Sequence, residues 1–354
     1  MAALANRTAS NGKTILVTGS TGFIGSHITA AFLESGYLVR AAVRSQTAAS
    51  QVFSTHSKYI DRLSLCIVPD ITLHGAFDSA VSDVYGIVHS ASPFHFNAER
   101  LSEIVDPAIS GTTSLLESAY RYSPGVRRVV NTSSLAAILD LSKGIRPGYT
   151  YTEADWNPVT ADSLSTADPL TLYLASKALA EQAAWKFMED EKPGFTLTTI
   201  CPALTYGPII HHVESLSGLN TSIADFYRLM DGTCAAVPEG SPISCVFSDV
   251  RDVAKAHLLA FESPDAAGQR YLAVNGSYAY QQIVDILRSE VMQAREKTAV
   301  GQPGLAGPET YRVSNSKSRS ELGLTYRTLA ETVVETAYDL LRIEEILVGN
   351  NVHG

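Results

Sequence analysis

Two side chains able to move a proton stand four positions apart in Tyr173-Leu174-Ala175-Ser176-Lys177. On a helix that spacing puts them on one face. An ammonium beside a phenol favours the phenolate and lowers the phenol's pKa. A tyrosine tuned in this way can pass its proton to a carbonyl oxygen as hydride arrives at the carbonyl carbon. An ordinary surface pair has the same spacing, so position has to carry the argument. Upstream, residues 126–131 read as a strand that runs into Thr132-Ser133-Ser134. A serine hydroxyl at that strand end can donate to the same oxygen.

A second set of residues suits phosphate. Thr14-Ile15-Leu16-Val17 is a short apolar run rich in β-branched residues, as a buried strand requires. It continues into Gly19-Ser20-Thr21-Gly22-Phe23-Ile24-Gly25 and then into a helical pattern that ends near Ser35-Gly36. Glycines permit a tight turn and bring backbone N–H groups close to a pyrophosphate, whose charge the helix N-terminus favours. The spacing is G-x-x-G-x-x-G rather than G-x-G-x-x-G. In this strand–turn–helix setting it predicts a dinucleotide site.

The rest of the chain must bring these two sets together. Strand patterns at 38–43, 63–68, 86–89, 126–131 and 195–200 alternate with helical segments at 104–121 and 169–191. Such alternation predicts a Rossmann-type, doubly wound parallel sheet of the α/β class, whose ligands bind at the carboxyl ends of the strands. Gly19, Arg44, Asp70, Ala91, Ser134 and Pro202 all fall at such ends, which implies one shared crevice. After Pro202 the alternation weakens. A flexible N-terminus is expected at 1–12, the dinucleotide-binding domain at 13–201 and mainly a smaller substrate-binding lobe at 202–354. Within that last stretch, segments near 245–262 are expected to return to the larger domain.

Residues 35–60 contain no Asp or Glu but hold Arg40, Arg44 and Lys58. A carboxylate there would repel a 2′-phosphate, whereas a guanidinium pairs with it bidentately. Of the two arginines, Arg44 is nearer the strand's carboxyl end. The expected cofactor is therefore NADPH, with Arg44 as its main reader. Asp70 could contact the adenine amino group or form a turn, with Ile71 beside it on the cofactor.

The 354 residues are 45% hydrophobic and 18% charged, with a net charge of −9, which argues against nucleic acid as a partner. No apolar run approaches membrane-spanning length. The four cysteines contain no C-x-x-C pair, so reduced thiols in a cytoplasmic protein are expected, as a monomer or homodimer. His211 and His212 lack a third nearby ligand, and no metal is expected. Asp249, Arg251 and Asp252 are expected to cap a helix and form a structural ion pair.

The glycine pattern, Thr132-Ser133-Ser134, Tyr173-x-x-x-Lys177 and Cys201-Pro202-Ala203-Leu204-Thr205-Tyr206-Gly207-Pro208 together resemble the extended short-chain dehydrogenase/reductase family. Val39-Arg40-Ala41-Ala42-Val43-Arg44-Ser45, His89-Ser90-Ala91-Ser92-Pro93-Phe94 and Asp249-Val250-Arg251-Asp252-Val253-Ala254 are similar to dihydroflavonol reductases. Ala184-Trp185-Lys186-Phe187-Met188 resembles NADPH-dependent aldehyde and ketone reductases of the methylglyoxal reductase type. The resemblance implies Ser134 as catalytic serine, Tyr173 as proton donor, and Lys177 as the residue that lowers its pKa and holds the nicotinamide ribose. It implies Gly19, Thr21, Gly22, Phe23, Ile24 and Gly25 at the pyrophosphate, Ala91 and Ser92 along the cofactor, and Pro202 by the nicotinamide. Where the plant dihydroflavonol reductases have Asn five residues after the serine, this chain has Leu139, which favours a more apolar substrate. Phe94, Leu139, Leu170 and Tyr206 are expected to line the pocket for a small aldehyde or ketone. The competing readings are an NAD-dependent sugar-nucleotide epimerase/dehydratase, a hydroxysteroid-type dehydrogenase, or a dinucleotide-sensing regulator without catalysis. The missing carboxylate argues against the first, and the retained Tyr and Lys against the last.

Overall fold

Ile15, Leu16 and Val17 have no exposed surface, and burying each contributes about 1.5–3 kcal/mol. They form β1 (Thr14–Thr18), an interior strand of the main sheet in a computed structural model that describes residues 9–92, 100–160, 164, 168–240, 243, 245–307 and 309–352. The first half of the chain continues as α1 (Phe23–Glu34), β2 (Leu38–Val43), α2 (Gln46–Thr55), β3 (Leu63–Ile67), β4 (Gly86–His89), α3 (Leu101–Tyr122), β5 (Arg128–Thr132), β6 (Thr150–Tyr151) and α4 (Pro169–Glu191). The second half adds β7 (Thr196–Pro202), β8 (Leu204–Tyr206), α5 (Thr221–Tyr227), β9 (Val246–Asp249), α6 (Val250–Glu262) and β10 (Arg270–Ala273). It ends with β11 (Gly276–Ser277), α7 (Tyr280–Glu290), β12 (Arg312–Val313), α8 (Ser316–Leu322) and α9 (Leu329–Val352).

The main sheet runs β10-β7-β5-β4-β1-β2-β3, and every pairing in it is parallel. Strand order reverses at β1, between β2 and β4. Ligands of doubly wound sheets bind at such a switch point. Residues of α1 and α6, among them Ile28, Phe32, Val253 and Phe261, cover one face. Val129, Leu116, Ala184 and Phe77 belong to the core on the other.

The second core joins Tyr206, Phe226, Phe247, Ile283 and Leu340 from β8, α5, β9, α7 and α9. Two details differ from expectation. Strand β9 pairs with β8 and β11 in a separate sheet, although Cys245 and Val246 beside it still pack with Cys201 and Leu272 of the main sheet. Strand β10 lies within the stretch expected for the small lobe, yet it is the edge strand of the main sheet, because the helical crossover through α6 sets it parallel beside β7. Asp249 caps α6 through the Arg251 N–H at 2.9 Å. Its carboxylate also holds the Arg251 guanidinium, which reaches Glu335 on α9. Asp252 pairs with Arg327 and accepts from Asn275 at 2.7 Å. This cluster is a cap and a set of struts between α6 and the segment leading into α9.

Candidate active site

The two serines after β5 do different things. Backbone in the extended region turns successive side chains to opposite sides. Ser133 is buried and donates to Glu181 Oε2 at 2.5 Å. Ser134 is half-buried, lines a cleft of about 330 Å³ with Tyr173 and accepts the Ala136 N–H at 3.1 Å.

Helix α4 delivers the other two groups. Pro169 stands at its start, where a missing N–H costs nothing. Asp168 caps it, accepting the Leu170 and Thr171 N–H groups at 3.0 and 3.1 Å. With the start fixed, Tyr173 and Lys177 lie one turn apart and both line the cleft. Lys177 Nζ donates to Ser92 Oγ at 2.8 Å and sits 5.7 Å from the Tyr173 ring centroid.

Burial governs the protonation of both groups. It pushes the Tyr173 phenol up to about 12, against the opposing pull of the Ser134 hydroxyl. It pushes Lys177 down to about 8. The lowered phenol pKa expected from the spacing is therefore not present: the ammonium is directed at Ser92, and desolvation outweighs its field. At neutral pH the phenol keeps its proton.

The glycine turn forms another wall. Gly19 has φ +72°, and a Cβ there would come within 2.9 Å of the Ala91 nitrogen. A Cβ on Gly25 would lie 2.0 Å from the Gly19 carbonyl oxygen. Only glycine permits this closeness. Gly22 is the N-cap of α1 and brings no side chain to its first amides, which leaves them for an anion. Gly19, Gly22, Phe23, Ile24 and Gly25 line the cleft together with Ser92 and Pro202. These features fit a dinucleotide.

Other expected residues are placed differently. Thr21 lies on the turn but does not line the cleft, and Ala91 spends its N–H on Thr18 Oγ1 at 3.0 Å. Arg44 is exposed one residue past β2. Arg40 instead donates to the carbonyls of Ala80 and Ser82 at 2.9 and 2.6 Å, a structural task that leaves Arg44 as the available reader of a 2′-phosphate. Asp70 forms a turn, accepting from the Thr72 N–H and hydroxyl at 2.9 and 2.7 Å. Ile71 packs close to Gly111 of α3. His211 packs against Phe23, ring centroids 5.8 Å apart.

Of the four residues expected at the substrate, only Leu139 is found lining the cleft. Phe94 falls outside the described residues. Leu170 is half-buried at the first turn of α4 and does not line the cleft. Tyr206 is fully buried; its hydroxyl bonds Asp225 at 3.1 Å and Tyr278 at 3.0 Å, and its ring packs on Phe226. Leu204, Asn220 and Ile243 line the cleft instead. Leu204 carried a readable signal, since it directly follows the Pro202-Ala203 strand end. Asn220 and Ile243 carried none, because tertiary packing alone brings them there. Among the described residues, no carboxylate, arginine or histidine lines the cleft.

Comparison with known proteins agrees with this geometry. Residues 15–274 match the NAD dependent epimerase/dehydratase family. The chain is 38% identical over 339 residues to a ketoreductase of Aspergillus niger, covering 93% of this chain and 98% of that one. It is 34% identical over 346 residues to an NADPH-dependent methylglyoxal reductase of Saccharomyces cerevisiae, covering 93% and 98%. The crystal structure of the yeast methylglyoxal/isovaleraldehyde reductase complexed with NADPH superposes with a TM-score of 0.85 at 34% identity, over 94% of this chain and 99% of that one.

Proposed function

The chain belongs to the NAD dependent epimerase/dehydratase family, and we propose that Ser134, Tyr173 and Lys177 perform its chemistry. It is an NADPH-dependent carbonyl reductase that converts an aldehyde or ketone to an alcohol. NADPH, when bound, supplies the hydride. Tyr173 gives its phenolic proton to the carbonyl oxygen, and Ser134 donates a hydrogen bond to the same oxygen. Lys177 places a positive charge beside them and holds the nicotinamide ribose. The observation that supports these roles is that Ser134, Tyr173 and Lys177 line one cleft together with the glycine turn.

Around that centre, Gly19, Gly22, Phe23, Ile24 and Gly25 hold the pyrophosphate, and Arg44 pairs with the 2′-phosphate. Ser92 and Pro202 lie along the nicotinamide half. The substrate sits against Leu139 and Leu204. The larger domain binds the cofactor and the smaller lobe closes over the substrate. We place the protein in the cytoplasm, as a monomer or homodimer, with no nucleic acid or membrane partner. Four free cysteines support that compartment, as does the absence, among the described residues, of any helix long and apolar enough to cross a membrane.

The test is NADPH oxidation with a panel of neutral aldehydes and ketones, using the unmodified protein and Tyr173→Phe. The variant keeps the ring and loses the proton, so turnover should collapse while NADPH affinity persists. Near-full turnover by Tyr173→Phe on every substrate would overturn the assignment.

A further inference from the structure

Helix α4 carries a third polar group on the same stripe. Glu181 follows Lys177 by four residues, as Lys177 follows Tyr173, and such spacing keeps side chains on one face. Glu181 and Arg270 do not line the cleft. Their side chains are 0% and 9% exposed, with Arg270 Nε donating to Glu181 Oε1 at 2.8 Å.

We propose that this buried pair is a positioning device for catalysis, setting Ser134 against Tyr173 and Lys177. The proposal rests on the catalytic roles assigned above. The Glu181 carboxylate accepts from Trp185 Nε1 of α4 itself at 3.2 Å and from groups on three strands. Ser133 of the β5 end donates at 2.5 Å, Thr199 of β7 at 2.7 Å, and Arg270 of β10 through a second nitrogen at 3.2 Å. The Ser133 bond fixes α4 against β5, and therefore fixes Tyr173 against Ser134, the next residue along.

Arg270 extends the hold to the far side of Ser134. Its Nη1 donates to the carbonyls of Glu153 and Asp155 at 2.7 and 2.8 Å, and its guanidinium lies 3.6 Å from the Trp156 ring centroid. The next residue, Asn157, donates from its side chain to the Ala136 carbonyl at 3.0 Å and from its backbone to Ala137 at 2.9 Å. Ser134 is thus tied on one side through Ser133 and on the other through the turn at 135–137. Stability alone does not call for such a hub: well-packed apolar residues often replace a buried ion pair at no loss, while removing one partner alone is strongly destabilising. What apolar residues cannot reproduce is directional bonds into three strands and a loop.

That contrast supplies the experiment. Glu181→Met/Arg270→Met removes both charges together. Ser133→Ala removes one bond and keeps the pair. For each, Tm, NADPH Kd, kcat and the carbonyl KM are measured beside Tyr173→Phe. A positioning role predicts that, assayed well below its Tm, the double variant binds NADPH within about threefold while kcat falls about tenfold to a hundredfold, the scale of a small misplacement of reacting groups. Ser133→Ala should lower kcat several-fold with KM unchanged. A double variant that recovers both Tm and kcat shows a purely structural pair and overturns the proposal. Should the double variant not fold, unchanged kcat in Ser133→Ala overturns it by itself. Loss of turnover in Tyr173→Phe with none in the hub variants would reject positioning alone; full turnover in Tyr173→Phe would reject the catalytic assignment, and positioning with it.

Discussion

Lys177 Nζ on α4 donates to Ser92 Oγ beyond the end of β4 at 2.8 Å, bridging the helix that carries Tyr173 and the strand next to the glycine turn. Because burial lowers this ammonium's pKa to about 8, its charge is present at neutral pH and is lost as pH rises through 8. The phenol, raised to about 12, stays protonated over the same range. Carbonyl reduction should therefore be level in kcat/KM from pH 6 to 7.5 and decline above about 8. Ser92→Ala should weaken turnover several-fold, on the scale of about 1 kcal/mol for one hydrogen bond. A rate unchanged up to pH 10 would show that the lysine's charge plays no part.

Arg44 is exposed just past β2, while Arg40 is held by two backbone carbonyls. The Arg44→Ala variant should lose most of the preference for NADPH over NADH. Hydrogen bonds to charged groups contribute about 1.5–3 kcal/mol, so the ratio of the two dissociation constants should fall by roughly tenfold to a hundredfold. Titration of both cofactors at fixed ionic strength measures it. Equal affinity in the unmodified protein would remove the basis for assigning Arg44.

Much of the fold could be read from local pattern. The bounds of β2, β4 and α4 coincide with the expected ones, and Pro169 and Asp168 mark the start of α4. Helix α2 escaped notice because Gln46–Thr55 is rich in Ser, Thr and Ala; the Ser45 side chain, accepting from the Ala48 N–H at 3.2 Å, starts it. Ser134, Tyr173, Lys177 and the glycine turn meet in one cleft, a juxtaposition that strand-end positions and the i, i+4 spacing already implied. Tyr206 was misplaced because its burial depends on Phe226 and Tyr278, which arrive from elements well downstream. The direction of the Tyr173 pKa shift was illegible for the same reason: desolvation belongs to the assembled cleft.

The cleft itself refines the substrate expectation. Leu139 and Leu204 line it; Leu170 does not. Leu170→Ala should leave substrate preference nearly unchanged. Leu204→Ala should favour bulkier ketones. Leu139 is 1% exposed, and Leu139→Ala should also cost about 2–5 kcal/mol of stability. Among the described lining residues the only cation is Lys177, whose ammonium is already engaged with Ser92, so a neutral ketone should exceed a 2-keto acid of similar size in kcat/KM, since a poorly paired buried charge is costly. A clear preference for the acid would refute this picture of the cleft.

Acid sensitivity should come from buried histidines. Burial holds His27, His89 and His257 down to about 4, from an ordinary value of 6.5. The His257 ring has both nitrogens engaged, one with the Val253 carbonyl at 2.8 Å and one with the Thr132 hydroxyl at 2.8 Å. The carbonyl requires a donor, so the other nitrogen accepts from Thr132, and protonation there would reverse that bond while placing an unpaired charge in the core. Between pH 6.5 and 4 the unfolded chain takes up protons that the folded chain refuses, so stability falls as pH falls through that window. Each such histidine contributes a slope of up to about 1.4 kcal/mol per pH unit. Asp249, whose carboxyl is held below its usual value against burial by hydrogen bonds and the charge of Arg251, acts in a separate window: its stabilisation is present above about 3.8 and is lost only below. A decline in Tm between pH 6.5 and 5 therefore reports the histidines and not the carboxylate. His257→Gln should flatten that decline, and a Tm that stays constant from pH 7 to 5 in the unmodified protein would contradict the account.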